Sequence, residues 1–157
     1  MKLKTMAIHL LLALVVCSGH ALAAKKGDSA LEPSIERGRY LVKIAQCNNC
    51  HTDQYSKKGG NIPERLWLTG NSRSWNEPIG TVYATNLRLF VKDISEDTWL
   101  IVTRNTRSRP PMPWWSLRDM SDSDLRSIYR YIRYLGPAGK PAPAFVPAKS
   151  SKKASGT

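Results

Sequence analysis

The chain has 157 residues and carries a formal net charge of +12. Its length limits it to about one domain. A basic balance is typical of chains that meet nucleic acid, an anionic membrane surface or an acidic protein partner, or that have a solvated face with no partner. Export from the cell argues against nucleic acid, and the first residues of the chain predict export.

Residues 1–23 have the layout of a secretory signal peptide. Lys2 and Lys4 form a basic start, an apolar run covers residues 6–17, and small residues precede a cleavage site after Ala23. The apolar run is shorter than the roughly 20 residues that a membrane-spanning helix needs. We therefore expect an exported, periplasmic protein, with a retained membrane anchor as the alternative.

Removal of this segment would leave the chain with few cysteine, histidine and methionine residues. The mature chain would keep two cysteines, Cys47 and Cys50, and one histidine, His51. Its methionines would be Met112 and Met120. Any site built from thiols or imidazoles must then use these few residues.

The folded domain is predicted over residues 32–136. From residue 137 to residue 157 the chain is rich in Pro, Ala, Lys and Ser and has little apolar surface to bury, which predicts a disordered tail. A domain of about a hundred residues has a limited core. A large, covalently held apolar cofactor would help to explain how it stays folded.

Three segments predict helices. The first begins near Ser34, a candidate N-cap, and runs into the cysteines, with Gly38 as a candidate for close approach by another helix. The second begins at Ser95. The third begins at Ser121 and carries apolar residues at three- and four-residue steps as far as Leu135. The Gly-, Asn-, Pro- and Trp-rich segment between the first and second helices is predicted to pack on a cofactor.

Residues 47–51 read Cys-Asn-Asn-Cys-His, the pattern of covalent haem attachment. Residues three and four apart share one face of a helix, so Cys47 and Cys50 can reach both vinyl groups of a porphyrin edge while His51 faces the iron. A thioredoxin-like site would need a βαβ context, a structural zinc site a fourth ligand, and a plain disulfide leaves His51 unexplained. The motif therefore predicts one covalently bound haem c.

The second axial position of the iron remains to be filled. No second histidine is expected in the mature chain, so the candidates are Met112 and Met120, unless the position is open or holds another nitrogen ligand. Met112 lies in the segment 109–114, whose prolines stiffen the backbone. Met120 precedes the cap of the third helix, where an apolar residue often packs on the first turns. This comparison favours Met112.

Several of these segments together resemble the class I c-type cytochromes, and look most like the cytochrome c domains in cytochrome subunits of bacterial alcohol and sugar-acid dehydrogenases. The resemblance implies an all-α class I cytochrome c fold in which the first and last helices cross with Gly38 at the contact. It also implies His51 and Met112 as axial ligands. The segments that carry it are Gly38-Arg39-Tyr40-Leu41-Val42 before the motif, Met112-Pro113, Met120-Ser121-Asp122, and Tyr129-Arg130-Tyr131-Ile132-Arg133-Tyr134-Leu135.

The subunits that it resembles commonly carry several haem motifs, whereas this chain has one, so it looks like a stand-alone carrier or a small subunit. Six-coordinate iron has no open position for a substrate, so we expect a single-haem electron carrier, not an enzyme. Its partners would be a dehydrogenase as donor and a terminal oxidase or another acceptor, with no nucleic acid and with peripheral membrane association as a further use of the basic charge. The alternatives are an electron-transfer subunit of a membrane-bound dehydrogenase and a five-coordinate haem enzyme or sensor.

The side chains expected around the haem are of two kinds. Aromatic residues are predicted to pack against the porphyrin. Arginines near Met112 are predicted to serve docking or propionate binding, with simple solvation as the alternative. The aromatic candidates are Trp67, Tyr83, Trp114 and Trp115, and the arginines are Arg104, Arg107 and Arg109.

Overall fold

A computed structural model describes residues 32–149 of the chain. The predicted signal peptide, residues 1–23, lies outside the described residues, as does the end of the predicted tail, residues 150–157. Within residues 32–149, the helices are all too short or too polar to cross a membrane.

Helices dominate the described chain, which confirms the predicted mainly α fold and adds one small sheet. The helices are α1 (Pro33–Ile44), α2 (Cys47–His51), α3 (Leu87–Phe90), α4 (Glu96–Asn105), α5 (Trp114–Asp119) and α6 (Asp122–Leu135). The strands β1 (Ser74–Glu77), β2 (Gly80–Tyr83) and β3 (Val146–Pro147) form an antiparallel sheet in that order. Single 3-10 turns lie at Ser56–Lys58, Glu64–Leu66 and Val91–Asp93.

The first and last helices cross at Gly38. A Cβ atom on Gly38 would lie 2.6 Å from the carbonyl carbon of Ser127 and 2.8 Å from the Cβ of Tyr131. The backbone of α1 therefore touches the backbone of α6, and only glycine leaves room for this contact. The crossing implied by the resemblance is confirmed, with Gly38 at its centre.

The helix starts are partly as predicted. Ser95 and Ser121 each accept a hydrogen bond from the backbone N–H three residues further on, so both are N-caps. The first helix differs, because its N-cap is Glu32 and Pro33 lies within its first turn. Proline suits that position because its missing N–H would have no partner there. Ser34 is therefore not the cap, and its hydroxyl bonds to the Glu32 carboxylate.

One apolar cluster forms the core, and α6 contributes its largest share. The spacing of the buried α6 residues is the three- and four-residue pattern read from the sequence. The indole N–H of Trp99 in α4 donates to the carbonyl of Leu125 at 2.9 Å, which fixes α4 against α6. The buried apolar residues are Leu41, Val42, Trp67, Leu68, Val91, Trp99, Leu125, Ile128, Tyr131 and Ile132.

Residues 137–149, here called the C-terminal strap, differ from the predicted disordered tail. The strap returns to the domain, where its strand β3 pairs with β2. The Asn86 side chain donates to the carbonyls of Ala138 and Lys140, at 2.8 Å and 3.1 Å. The strap is held by its backbone polar groups, which composition does not reveal, and the folded region extends past the predicted boundary at residue 136.

Replacing Gly38 tests the helix crossing. We expect Gly38→Ala to lower the free energy of unfolding by about 2 kcal/mol or more, because the added methyl overlaps the α6 backbone. Denaturant unfolding of the purified protein measures this. Gly59→Ala is the control for a methyl group added in open space: a Cβ there would have nothing within 4 Å, although the φ of +56° at Gly59 adds some backbone strain. Equal stabilities of the two variants would contradict a backbone contact at Gly38.

A carboxylate between α4 and α6 gives the fold a pH dependence. Glu96 accepts hydrogen bonds from Arg130 and Arg126, with its carboxylate oxygens 3.0 Å and 2.9 Å from their nitrogens. These bonds lower the pKa of Glu96. The ionised form is thus favoured in the folded state, and its stabilisation is present above the unfolded-state pKa and lost as pH falls through the lowered folded-state pKa.

We expect Glu96→Gln to lower the free energy of unfolding at neutral pH by about 0.5–1 kcal/mol, since both arginines are partly exposed and the attraction is screened. The difference from the unmodified protein should shrink to nothing in acid. Urea unfolding from neutral pH downward measures it. Glu77→Gln is the control, because Glu77 forms no ion pair within residues 32–149. A difference that persists in acid would contradict the assignment to ionised Glu96.

Candidate functional site

The whole Cys-Asn-Asn-Cys-His motif forms its own short helix. Helix α1 ends at Ile44, and Gln46 then takes a left-handed conformation with φ +60°. This turn starts α2, which spans Cys47–His51. The prediction that the first helix runs into the motif is corrected by this break. Because α2 makes little more than one turn, its place must be fixed by contacts to neighbouring segments.

The two cysteines of α2 are free thiols without a disulfide between them. Burial raises the pKa of Cys47 to about 11. Burial also raises the pKa of Cys50, opposed by the nearby Arg73 cation. Both thiols therefore stay protonated at neutral pH, unlike the low-pKa thiolates of redox or nucleophilic sites.

The imidazole of His51 is buried and fixed at one nitrogen. Its Nδ1 lies 2.8 Å from the backbone carbonyl of Thr85, which can only accept, so Nδ1 carries the proton. Nε2 then carries the lone pair, and it forms no hydrogen bond within residues 32–149. Burial lowers the pKa of His51, with the Thr85 hydrogen bond acting in the opposite direction. A neutral ring with a free Nε2 and a bonded Nδ1–H is the arrangement of a histidine that ligates a metal.

Buried hydrogen bonds attach α2 to the chain that follows it. The Thr52 hydroxyl donates to the Asn48 side-chain oxygen at 2.6 Å and accepts from the backbone N–H of Leu68 at 2.8 Å. The N–H of Gly70 donates to the carbonyl of His51 at 2.8 Å. Hydrogen bonds to Leu68 and Gly70 thus fix α2 against the chain that follows it. The Asn48 side-chain nitrogen is buried and is left as a donor without a partner within residues 32–149.

The two candidate methionines have different surroundings. Met120 packs against the apolar core just before α6, as predicted for a residue that covers the first turns of that helix. Met112 is partly buried but does not pack against that core within the described chain. Its backbone N–H donates to the Arg109 carbonyl at 3.2 Å. Met112 is therefore the methionine whose thioether has no packing role in the core.

The predicted aromatic and arginine neighbours fall into different settings. Trp67 is a core residue whose indole N–H donates to the Ile62 carbonyl at 2.8 Å. Trp114 lies under the Arg107 guanidinium, 4.1 Å from its ring centroid, whereas Trp115 is 50% exposed. Tyr83 and Arg109 line a cavity of about 340 Å³. Arg104 donates hydrogen bonds to the Asp122 carboxylate and the Arg118 carbonyl, so its side chain links α4 to α5 and α6.

Two contributors to the site have no chemical signature in the sequence. Thr85 acts through its backbone carbonyl, which every residue possesses. Thr52 acts as a buried link between α2 and Leu68, and its type is common in loops. Asn86 carries one readable signal, since Asn before a helix is a frequent N-cap, and it does accept from the Leu89 N–H at 3.0 Å.

The donor set fits a covalently attached haem better than a zinc ion. Within residues 32–149, no group of three or more His, Cys, Asp and Glu side chains is placed to hold a metal ion by itself. Two free thiols on one helix, a histidine with its Nε2 available and a partly buried methionine outside the core match the needs of haem c. The mainly α fold and this site define a cytochrome c domain.

Comparison with known proteins agrees with this class. The chain is 29% identical over 124 residues to the gluconate 2-dehydrogenase cytochrome c subunit of Pantoea cypripedii, covering 73% of this chain and 26% of that protein. It is 30% identical to the fructose dehydrogenase cytochrome subunit of Gluconobacter japonicus, covering 73% and 24%. It is 28% identical to the cytochrome c subunit of the quinone-type alcohol dehydrogenase of Gluconobacter oxydans, covering 77% and 25%.

The protein is thus a cytochrome c domain similar to those of dehydrogenase cytochrome subunits. The chain spans about a quarter of the length of these relatives. No family model matches it, and no solved structure matches it above the significance threshold.

Replacing Thr52 tests how α2 is held. We expect Thr52→Val to lower the free energy of unfolding by about 2 kcal/mol, because the buried Leu68 N–H and Asn48 oxygen both lose their partner. Thermal unfolding measures the loss. The same change at the exposed Thr106, whose side chain forms no hydrogen bond within residues 32–149, should be nearly neutral. A Thr52→Val protein as stable as this control would show that the link is dispensable.

Proposed function

We propose that this protein is a periplasmic electron carrier with a single, covalently attached haem c. Cys47 and Cys50 would hold one porphyrin edge, and His51 and Met112 would be the axial ligands. The observation that carries the proposal is the His51 imidazole, which lies in the same short helix as two free thiols. Its Nδ1–H is bonded to Thr85, and its Nε2 forms no hydrogen bond within the described residues.

When bound, the haem supplies an iron that cycles between its ferric and ferrous states. The protein residues orient it and exclude water. Thr85 fixes the His51 ring, so the imidazole plane cannot turn freely, and Thr52 anchors the helix that carries both thiols. Pairing histidine with a methionine thioether raises the reduction potential relative to other axial sets, which suits a carrier that delivers electrons to a strong acceptor.

The relatives support a dehydrogenase as the electron donor. Their names describe cytochrome subunits of gluconate, fructose and alcohol dehydrogenases. A terminal oxidase or a comparable respiratory protein would be the acceptor. The periplasmic location rests on the signal-peptide pattern of residues 1–23 and on the attachment motif. The basic charge of the chain would favour acidic partners, with peripheral binding to an anionic membrane as a further use.

A second candidate has a specific observation in its favour. All three of the relatives just named are subunits of larger dehydrogenases, so this chain is alternatively an electron-transfer subunit of a membrane-bound dehydrogenase. The chemistry at the site is the same in both cases. Purification of the tagged protein from its own cells separates them, because a subunit copurifies with its dehydrogenase in fixed stoichiometry whereas a free carrier does not.

The axial ligand is tested by spectroscopy. We expect Met112→Ala to abolish the long-wavelength methionine–iron charge-transfer band of the oxidised protein completely and to let the reduced protein bind carbon monoxide. Met120→Ala is the matched control, and it should keep the band while lowering stability by about 2–4 kcal/mol through the lost core packing. Both proteins are compared at equal haem content.

Two results would overturn parts of this proposal. Loss of the band in Met120→Ala alone would show that the ligand is Met120. Rapid binding of carbon monoxide by the unmodified reduced protein would mean a five-coordinate iron and would favour a haem enzyme or sensor over a carrier.

A further inference from the structure

One buried side chain links the C-terminal strap to the histidine side of the site. Asn86 is 2% exposed. Its Nδ2 donates to the carbonyls of Ala138 and Lys140, at 2.8 Å and 3.1 Å, and its Oδ1 accepts from the Leu89 N–H at 3.0 Å. Both amide N–H groups and the amide oxygen are thus bonded. These hydrogen bonds fix the Asn86 side chain in one position, and two of the three are made to the strap.

The residue before Asn86 is the one that holds His51. The Thr85 carbonyl lies 2.8 Å from the His51 Nδ1. On the other side of Asn86, the backbone N–H of Leu87 donates to the Leu68 carbonyl at 3.0 Å. Thr85, Asn86 and Leu87 therefore contact His51, the strap and the buried Leu68, in that order. A shift of Asn86 moves the Thr85 carbonyl, because the two share a planar peptide unit.

A glycine in the strap allows its backbone to approach Asn86 closely. Gly139 has φ +77°, and a Cβ there would lie 3.0 Å from the Asn86 Nδ2 and 3.1 Å from the Thr69 Cβ. Only glycine combines that conformation with so close an approach. Further along, Phe145 lies under the Arg109 guanidinium, 4.0 Å from its ring centroid. The strap thus reaches both the Thr85 segment and the segment that leads to Met112.

We infer that Asn86, clamped by the strap, is a positioning residue for the axial histidine: it holds the Thr85 carbonyl where that carbonyl accepts the Nδ1 proton of His51. The inference rests on the proposed function, since it assigns His51 to haem iron. A hydrogen bond at Nδ1 increases the electron donation of the imidazole through Nε2. Stronger donation favours ferric iron, so loosening the strap weakens the bond and raises the reduction potential.

The experiment uses the full-length, haem-loaded protein and two substitutions that leave its charge unchanged. Asn86→Ala removes the side chain that the strap clamps. Gly139→Ala leaves Asn86 in place but pushes the strap away from it. Gly59→Ala is the matched control, because Gly59 has φ +56° and open space around its Cβ position. The readouts are the hydrogen-exchange rate and chemical shift of the His51 Nδ1 proton in the reduced protein, and the midpoint reduction potential.

We expect exchange of the Nδ1 proton to be roughly tenfold faster in Asn86→Ala, because all three side-chain hydrogen bonds of Asn86 that fix the segment are lost. The proton resonance should move upfield and the reduction potential should rise. Gly139→Ala should change all three in the same direction by less, and Gly59→Ala should leave them unchanged. A strap that only stabilised the fold would lower the melting temperature of these variants without moving the Nδ1 readouts.

Two results count against the inference and are distinguishable. Unchanged Nδ1 exchange and potential in Asn86→Ala, in a protein whose haem is still bound through His51, would overturn the positioning role and leave the proposed function intact. Absence of covalently bound haem in the unmodified protein, measured after denaturation and extraction, would overturn both the proposed function and the inference.

Discussion

The backbone of α1 lies directly against the backbone of α6 at Gly38, where any side chain would overlap Ser127 and Tyr131. This contact sets the distance between α1 and α6, and the core is built around it, with Leu41 and Val42 on one side and residues of α6 on the other. Glycine inside a helix costs about 1 kcal/mol against alanine. The close packing of two helix faces offsets that cost, because both helices bury more apolar surface when their axes approach.

The crossing also determines where the site can lie. Helix α1 leads after two residues into α2, so the orientation of α1 places the Cys-Asn-Asn-Cys-His turn at one end of the helix pair. A helix of five residues has little stability of its own. It is fixed through Thr52 to Leu68 and through the His51 carbonyl to Gly70, and the imidazole is fixed through Thr85. The chemistry therefore depends on short polar contacts made by segments that have little regular structure.

Charge in this protein serves two purposes. Part of the basic excess is used within the fold: Arg126 and Arg130 bind Glu96, and the buried Arg88 donates to the carbonyls of Leu135 and Gly136 at the end of α6, where a cation complements the helix dipole. Other cations of the described chain, such as Lys43, Lys57 and Lys58, are exposed. Under the proposed function, such a surface would steer encounters with an acidic partner by long-range attraction, without a tight interface.

The sequence by itself determined the features that repeat locally or need particular atoms. The face of α6 follows from apolar spacing, the starts at Ser95 and Ser121 follow from cap chemistry, and the motif of residues 47–51 follows from the need for two thiols and an imidazole on one turn. Local rules marked Gly38 only as a candidate for close approach, since an isolated glycine in a helical pattern has several explanations. Its place at the crossing of the first and last helices, like the mainly α class, came from the resemblance.

Only the tertiary structure decided the contacts made by backbone atoms between distant segments. The Thr85 carbonyl holds His51, and the carbonyls of Ala138 and Lys140 hold Asn86. Every residue type has a backbone carbonyl, so the sequence does not reveal these contacts, and the composition of the strap predicted a disordered tail. The break at Gln46 and the start of α1 at Pro33 depend on how the chain meets its neighbours. The sequence therefore specifies which atoms can do the chemistry. The fold specifies which of them are held in place.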